Sequence, residues 1–241
     1  MRQSPRSCAG YSAFLSTWFP PNPSKKARSM SSTSTLNKIE TQNLQCEMPA
    51  LEQHLQSNPA DVQHLLMRGE CFLAFGQYEN ALADFNRAVE LEPNDAKAYA
   101  SRAVVYIRTG DFKRAFADLN MQIALEPNDA MGYSNRGALY VVTKRYHLAI
   151  SDLCEAIRLD SNCAPAYANL GEIYYKIDRY VDAIESCGKA LELHPASGES
   201  HFYRGKAYEA LGRIECAQED LDRAVAIGYT PGAIESYYRS A

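Results

Sequence analysis

A small residue returns every 34 positions along this chain, at Gly69, Ala103, Gly137, Gly171 and Gly205. The register holds without insertion or deletion from Val62 to Tyr229. A fixed period of this length signals a stack of helical hairpins, each too small to bury its apolar face alone. That constraint excludes most globular architectures before any other feature is considered.

Counting from the first residue of each 34-residue frame puts the small residue at repeat position 8. Position 11 is always aromatic (Phe72, Tyr106, Tyr140, Tyr174, Tyr208) and position 20 always alanine (Ala81, Ala115, Ala149, Ala183, Ala217). Spacings of three and four on each side of a break are helical. The break falls at position 15, which is Gly76, Gly110 and Gly212 in three repeats and Lys144 and Asp178 in the others. Glycine there can take a positive φ and end a helix. Each repeat is therefore expected to be two antiparallel helices of about 12–14 residues, each about 20 Å long. Small residues at positions 8 and 20 let the helix backbones approach. Pro59, Pro93, Pro127 and Pro195 mark hairpin exits, because proline disfavours helix in its predecessor. Ser161 and Tyr229 break that pattern.

These residues resemble the tetratricopeptide repeat family over about 70% of the chain. The departures are Gln122 at position 27, Cys187 at position 24 and His201 at position 4. The resemblance implies an all-α right-handed superhelical solenoid of antiparallel helix pairs. Five repeats are expected, at 62–95, 96–129, 130–163, 164–197 and 198–229. A partial repeat or cap helix is expected at 46–61, where Leu51 and Leu55 would cover the first repeat. A capping helix is expected at 230–241, begun by Thr230-Pro231, with Tyr237 and Tyr238 as its contacts.

The net charge of −4 conceals an asymmetry. Residues 1–45 hold six Lys or Arg and one acidic residue, whereas residues 46–241 hold 19 basic and 28 acidic. An acidic array suits no nucleic-acid backbone, so no nucleic-acid partner is expected. No apolar run is long enough to span a bilayer, so no integral membrane segment is expected. The seven cysteines form no C-x-x-C and no ligand spacing with histidine, which reads as buried reduced thiols and no metal site. Residues 1–45, rich in Ser, Thr, Pro and Arg, read as a disordered basic segment. Their composition also fits a transit peptide, a secretory signal, or a start misassigned upstream of Met30. The expected location is cytoplasmic, with organellar and secreted or periplasmic locations as the alternatives.

In the tetratricopeptide family the first helices line a concave groove, through positions 2, 5, 9, 12 and 13, with 6 at the border. Carried onto this chain, that places Leu66, Val104, Ile107, Arg108, Ala138 and Val142 along the first three repeats. Lys176 and Lys206 fall on the more polar last two, with Glu172, Tyr175, Glu199, Phe202 and Glu209. Asn135 and Asn169 share position 6, where the family often uses asparagine to hold a peptide backbone, an amide offering both donor and acceptor. The family's carboxylate clamp for chaperone C-terminal tails is not expected. Ala100 with Val104, or Ser134 with Ala138, stand where its lysine and asparagine belong.

Arg68, Arg102, Arg136 and Arg204 recur at position 7, and Asp84, Asp118, Asp152 and Asp220 at position 23. Pairing between these two rows is expected, in preference to ligand binding by the arginines. The five histidines occupy unrelated repeat positions, with no H-x-x-x-H or triad-like grouping. No phosphate loop or nucleophile elbow occurs, and no cofactor is implied. The expected function is a non-catalytic protein–protein interaction scaffold or adaptor binding a peptide or helical segment in its groove. The alternatives are a structural subunit of a permanent assembly, or a targeted organellar or envelope assembly factor.

Overall fold

The computed structural model describes residues 47–229. The expected disordered segment at 1–45 and the expected capping helix at 230–241, with Tyr237 and Tyr238, lie outside the described residues. Those residues are helical throughout, apart from turns. Helix α1 covers 47–57. Five hairpins follow: α2 (Val62–Ala74) with α3 (Tyr78–Leu91), α4 (Ala96–Arg108) with α5 (Phe112–Leu125), α6 (Ala130–Val142) with α7 (Tyr146–Leu159), α8 (Ala164–Lys176) with α9 (Tyr180–Leu193), and α10 (Gly198–Ala210) with α11 (Ile214–Ile227). First helices have 13 residues and second helices 14, so the 34-residue frame repeats as geometry.

Aspartates fix the start of three first helices. Asp61, Asp95 and Asp129 stand at the N-cap, and their side chains accept from the backbone N–H of His64, Lys97 and Met131. Ser197 does the same for Ser200, while Cys163 makes no such bond and Pro165 sits in the first turn instead. Every hairpin turn has its position-15 residue at positive φ, from 58° at Lys144 to 79° at Gly110. The Gln77 N–H donates to the Phe72 carbonyl and the Gly76 N–H to that of Leu73, which satisfies the last carbonyls of α2. The same two bonds recur at Lys144 and Asp178, so both residues carry the left-handed strain that glycine would avoid. Helix α7 ends at Leu159 although Ser161 stands where other repeats have proline. Proline marks that exit without being required for it.

The interior follows from the small residues. A Cβ added at Gly69 would lie 2.5 Å from the Phe85 ring, and one at Gly137 would lie 2.8 Å from Leu153. The residue at position 24 thus fills the space left by the one at position 8. In the fourth hairpin Cys187 takes that place against Gly171. Cys187 is fully buried, and burial raises its thiol pKa, so it acts as a small apolar side chain. Cys71 and Cys163 are also buried free thiols, whereas Cys154 is exposed.

The described residues fall into two compact units, 47–127 and 128–229. In the first, α2 and α4 pack side by side and α3 packs against α4. In the second, α8 lies beside both α6 and α10, while α7 packs on α8 and α9 on α10. Each unit therefore presents a face built from first helices.

Candidate functional site

The arginine row at position 7 meets the aspartate row at position 23 within each hairpin that carries both. Arg68 Nε donates to Asp84 Oδ2 at 2.8 Å and its Nη2 to Oδ1 at 2.7 Å. Arg102 grips Asp118, Arg136 grips Asp152 and Arg204 grips Asp220 in the same two-pronged way. The carboxylate bonds hold all four arginines above their ordinary pKa. All four aspartates are buried. A guanidinium committed to a buried carboxylate serves the fold, not a ligand. The fourth hairpin has Leu170 and Ser186 at these two positions, both members of the pair being replaced together.

His201, a departure from the repeat pattern, takes over an aromatic's task. The Tyr99 hydroxyl donates to the Pro93 carbonyl at 3.1 Å. Three repeats later, at the same repeat position, His201 Nε2 lies 3.2 Å from the Pro195 carbonyl and Nδ1 2.9 Å from Asp220.

The residues expected on the groove divide into three groups. Leu66 has 0% of its surface exposed. It lies inside the unit and corrects the expectation of a groove contact, because its side chain is spent on packing. Asn135 is 7% exposed and belongs largely to the interior of its unit as well. Val104, Ile107 and Arg108 stand half-buried on α4, and Ala138 and Val142 half-buried on α6. Asn169 and Lys176 on α8 and Lys206 on α10 are also half-buried. Asn169 and Asn135 do not behave alike despite their shared position. Asn169 donates from Nδ2 to the Pro165 carbonyl at 3.0 Å, a bond within its own helix.

The face shared by α8 and α10 carries a dense polar network. Lys176 Nζ lies 2.6 Å from Glu172 Oε1, which also accepts from the Tyr203 hydroxyl at 3.0 Å. Tyr203 stacks at a tilt on Tyr175, with ring centroids 5.7 Å apart, and Phe202 meets Tyr203 edge-on at 5.3 Å. Glu199 joins Glu172, and its pKa is pushed up to about 8, first by burial, then by the Glu172 charge and a hydrogen bond to it, with Lys176 opposing. Lys206 pairs with Glu209. Tyr203 was not among the residues singled out by sequence. The signal for it was its repeat position, the one it shares with Asn135 and Asn169. In the unit 47–127 the first-helix face carries an ion pair of its own, Lys97 Nζ to Glu70 Oε1 at 3.2 Å.

The structure also corrects the reading of the histidines as ungrouped. His54 on α1 and His64 on α2 both face Asp61, and their rings stack with centroids 3.6 Å apart. Sequence concealed this because the repeat frame starts at Val62, which separates the three residues between the cap and the first repeat.

Comparison with known proteins follows the same lines. A family model described as a TPR repeat matches residues 69–110, and one described as a tetratricopeptide repeat matches residues 164–197. Similar solved structures include that described as the functional characterization of pilF of Pseudomonas aeruginosa, at TM-score 0.65 and 22% identity over 75% of this chain and 82% of that one. TTC0263, described as a thermophilic TPR protein in Thermus thermophilus, aligns at TM-score 0.61 and 24% identity, over 74% of this chain and 97% of that one. YrrB, described as a TPR protein with an unusual peptide-binding site, aligns at TM-score 0.52 and 20% identity, over 79% of this chain and 98% of that one. No curated protein matches the chain significantly. The architecture is that of an all-α helical-repeat solenoid, a class of protein-interaction scaffolds that are generally non-catalytic. The chain belongs to the tetratricopeptide repeat proteins. No helix among the described residues is long and apolar enough to cross a membrane.

Proposed function

We propose that the chain is a non-catalytic adaptor that holds a peptide or helical segment of a partner protein on its first-helix faces. The reading rests above all on the α8–α10 face, where Tyr175, Lys176, Glu172 and Tyr203 form a half-buried mixture of aromatic rings and paired charges. Aromatic surface contributes contact area at low entropic cost, and the charges on the face select the ligand's own charges. Asn169 contributes its side-chain carbonyl to a peptide N–H, since its amide nitrogen already donates to Pro165. Val104 and Ile107 on α4, and Ala138 and Val142 on α6, supply apolar area in their own units, at about 25 cal/mol per Å² removed from water. Arg108 adds a cation beside Ile107.

Peptides selected by display on the full chain test this reading. Their affinity is measured by fluorescence anisotropy for the wild type, for Asn169→Ala and for Asn169→Ala with Lys176→Ala and Lys206→Ala. The triple variant is expected to bind at least about tenfold more weakly while staying folded at the assay temperature, its melting temperature lowered because Glu172 loses the Lys176 cation. Undiminished affinity in a folded triple variant would remove the α8–α10 face from the function.

A further inference from the structure

The turn between α1 and α2 brings together three metal-ligating side chains that the peptide-binding reading leaves unused. Helix α1 closes with the Asn58 N–H donating to the His54 carbonyl at 2.8 Å, and the Asp61 N–H then donates to the Asn58 carbonyl at 3.2 Å. This tight reversal returns Asp61 to the last turn of α1. Asp61 is also the N-cap of α2, where Oδ1 accepts from the His64 backbone N–H at 3.1 Å. Capping fixes the carboxylate plane and aims the other oxygen, Oδ2, back at the two imidazoles. His54 Nε2 lies 2.9 Å and His64 Nδ1 3.0 Å from that one oxygen.

Two observations separate this cluster from an ordinary histidine–aspartate contact. All three ligand atoms lie within 4.8 Å of one another. His64 Nδ1 is buried and, although close to Oδ2, makes no hydrogen bond. A buried ring nitrogen left unsatisfied beside a carboxylate calls for a further partner. A small cation among the three atoms satisfies it, accepting one lone pair from each.

We propose that His54, Asp61 and His64 form a three-ligand site for a divalent transition metal, zinc foremost, which pins α1 to the first turn of α2. The donor set of two imidazoles and one carboxylate suits zinc, and no thiolate is needed. Zinc bonds of about 2.0–2.2 Å around a tetrahedron put neighbouring ligand atoms about 3.3 Å apart. The present spacings to Oδ2 need to open by only a few tenths of an ångström, and one of the two imidazoles, now stacked with centroids 3.6 Å apart, turns out of the stack to aim its in-plane lone pair at the ion. The three side chains are 35%, 30% and 33% exposed in chain order, which gives a metal a path in and leaves a fourth corner for water. The Asp61 cap bond to the His64 N–H acts as the outer support that orients a ligand. Leu51 and Leu55, both buried on α1, tie the docking of that helix to the state of the site.

The test uses the full chain, reduced and stripped with chelator, titrated with zinc by calorimetry and followed by thermal melting. One equivalent is expected to bind, and to raise the melting temperature. Asp61→Asn keeps the N-cap, since asparagine caps as well as aspartate, but removes the charged ligand. It is expected to bind zinc at least about tenfold more weakly while folding normally without metal. His54→Gln with His64→Gln is expected to abolish both the binding and the melting shift. Zinc binding of wild-type strength in that double variant, or in Asp61→Asn, would overturn the proposal and point to the thiols. Failure of the wild-type chain to bind would overturn it as well. Neither result bears on the peptide face of α8 and α10.

Discussion

The third and fourth hairpins occupy the same unit and share the same helix lengths, yet they are held together differently. In the third, Arg136 and Asp152 form a two-pronged ion pair and Leu153 fills the space beside Gly137. In the fourth, Leu170 and Ser186 replace the pair and Cys187 replaces the leucine, against Gly171. Their outer faces differ too, with Ala138 on α6 where α8 has Glu172. The two hairpins fold alike, so the small residue packed against position 24 is the common element and the ion pair is a local solution. A buried ion pair is costly to halve and cheap to replace whole, because the damage comes from the charge left behind.

That contrast can be broken most directly at Arg136. Arg136→Ala leaves the Asp152 carboxylate, 11% exposed, without its guanidinium and is expected to cost about 3 kcal/mol in urea denaturation. Arg136→Leu with Asp152→Ser copies the fourth hairpin and is expected to recover all but about 1 kcal/mol of it. A double variant as unstable as the single one would show that the fourth hairpin depends on compensation elsewhere.

A smaller effect sharpens the difference between the outer faces. Glu199 has its carboxyl pushed from 4.5 up to about 8 by burial and by Glu172. A carboxyl raised on folding contributes stability that is full below pH 4.5 and is lost as pH rises through about 8. Glu199→Gln does not titrate. It is therefore expected to match the wild type in acid and to become progressively more stable than it as pH rises through about 8. Melting curves across that range decide it, and parallel pH profiles would detach Glu199 from Glu172.

The smallest effect lies in the turns, which are alike in both hairpins. Lys144 and Asp178 hold φ of 58° and 61°. Lys144→Gly is expected to stabilise by about 1 kcal/mol. Asp178→Gly is expected to gain less, because aspartate tolerates this conformation better and its carboxylate accepts from the Tyr180 hydroxyl at 2.6 Å. Equal gains would mean that the hydroxyl bond contributes nothing.

Much of the fold was legible because it obeys the period. Helix ends, turn residues and the arginine–aspartate pairing all follow from residues that recur at fixed spacing. The candidate site was less legible, since a groove position in the frame does not say how far a side chain projects. Leu66 and Val104 both stand at groove positions, yet one is fully buried and the other half-buried. Asn135 and Asn169 share one position and differ in exposure, and the Asn169 amide turns to its own Pro165 carbonyl.

The sequence by itself determined the hairpin, its register and its stacking, because those depend on contacts repeated at a constant separation along the chain. Only the tertiary structure decided which polar groups converge. Glu172 meets Tyr203 across two helices, and His54 meets Asp61 and His64 across a turn outside the repeat frame. Such meetings depend on side-chain direction and on the distance between neighbouring helices. Neither quantity is written in the spacing of residues.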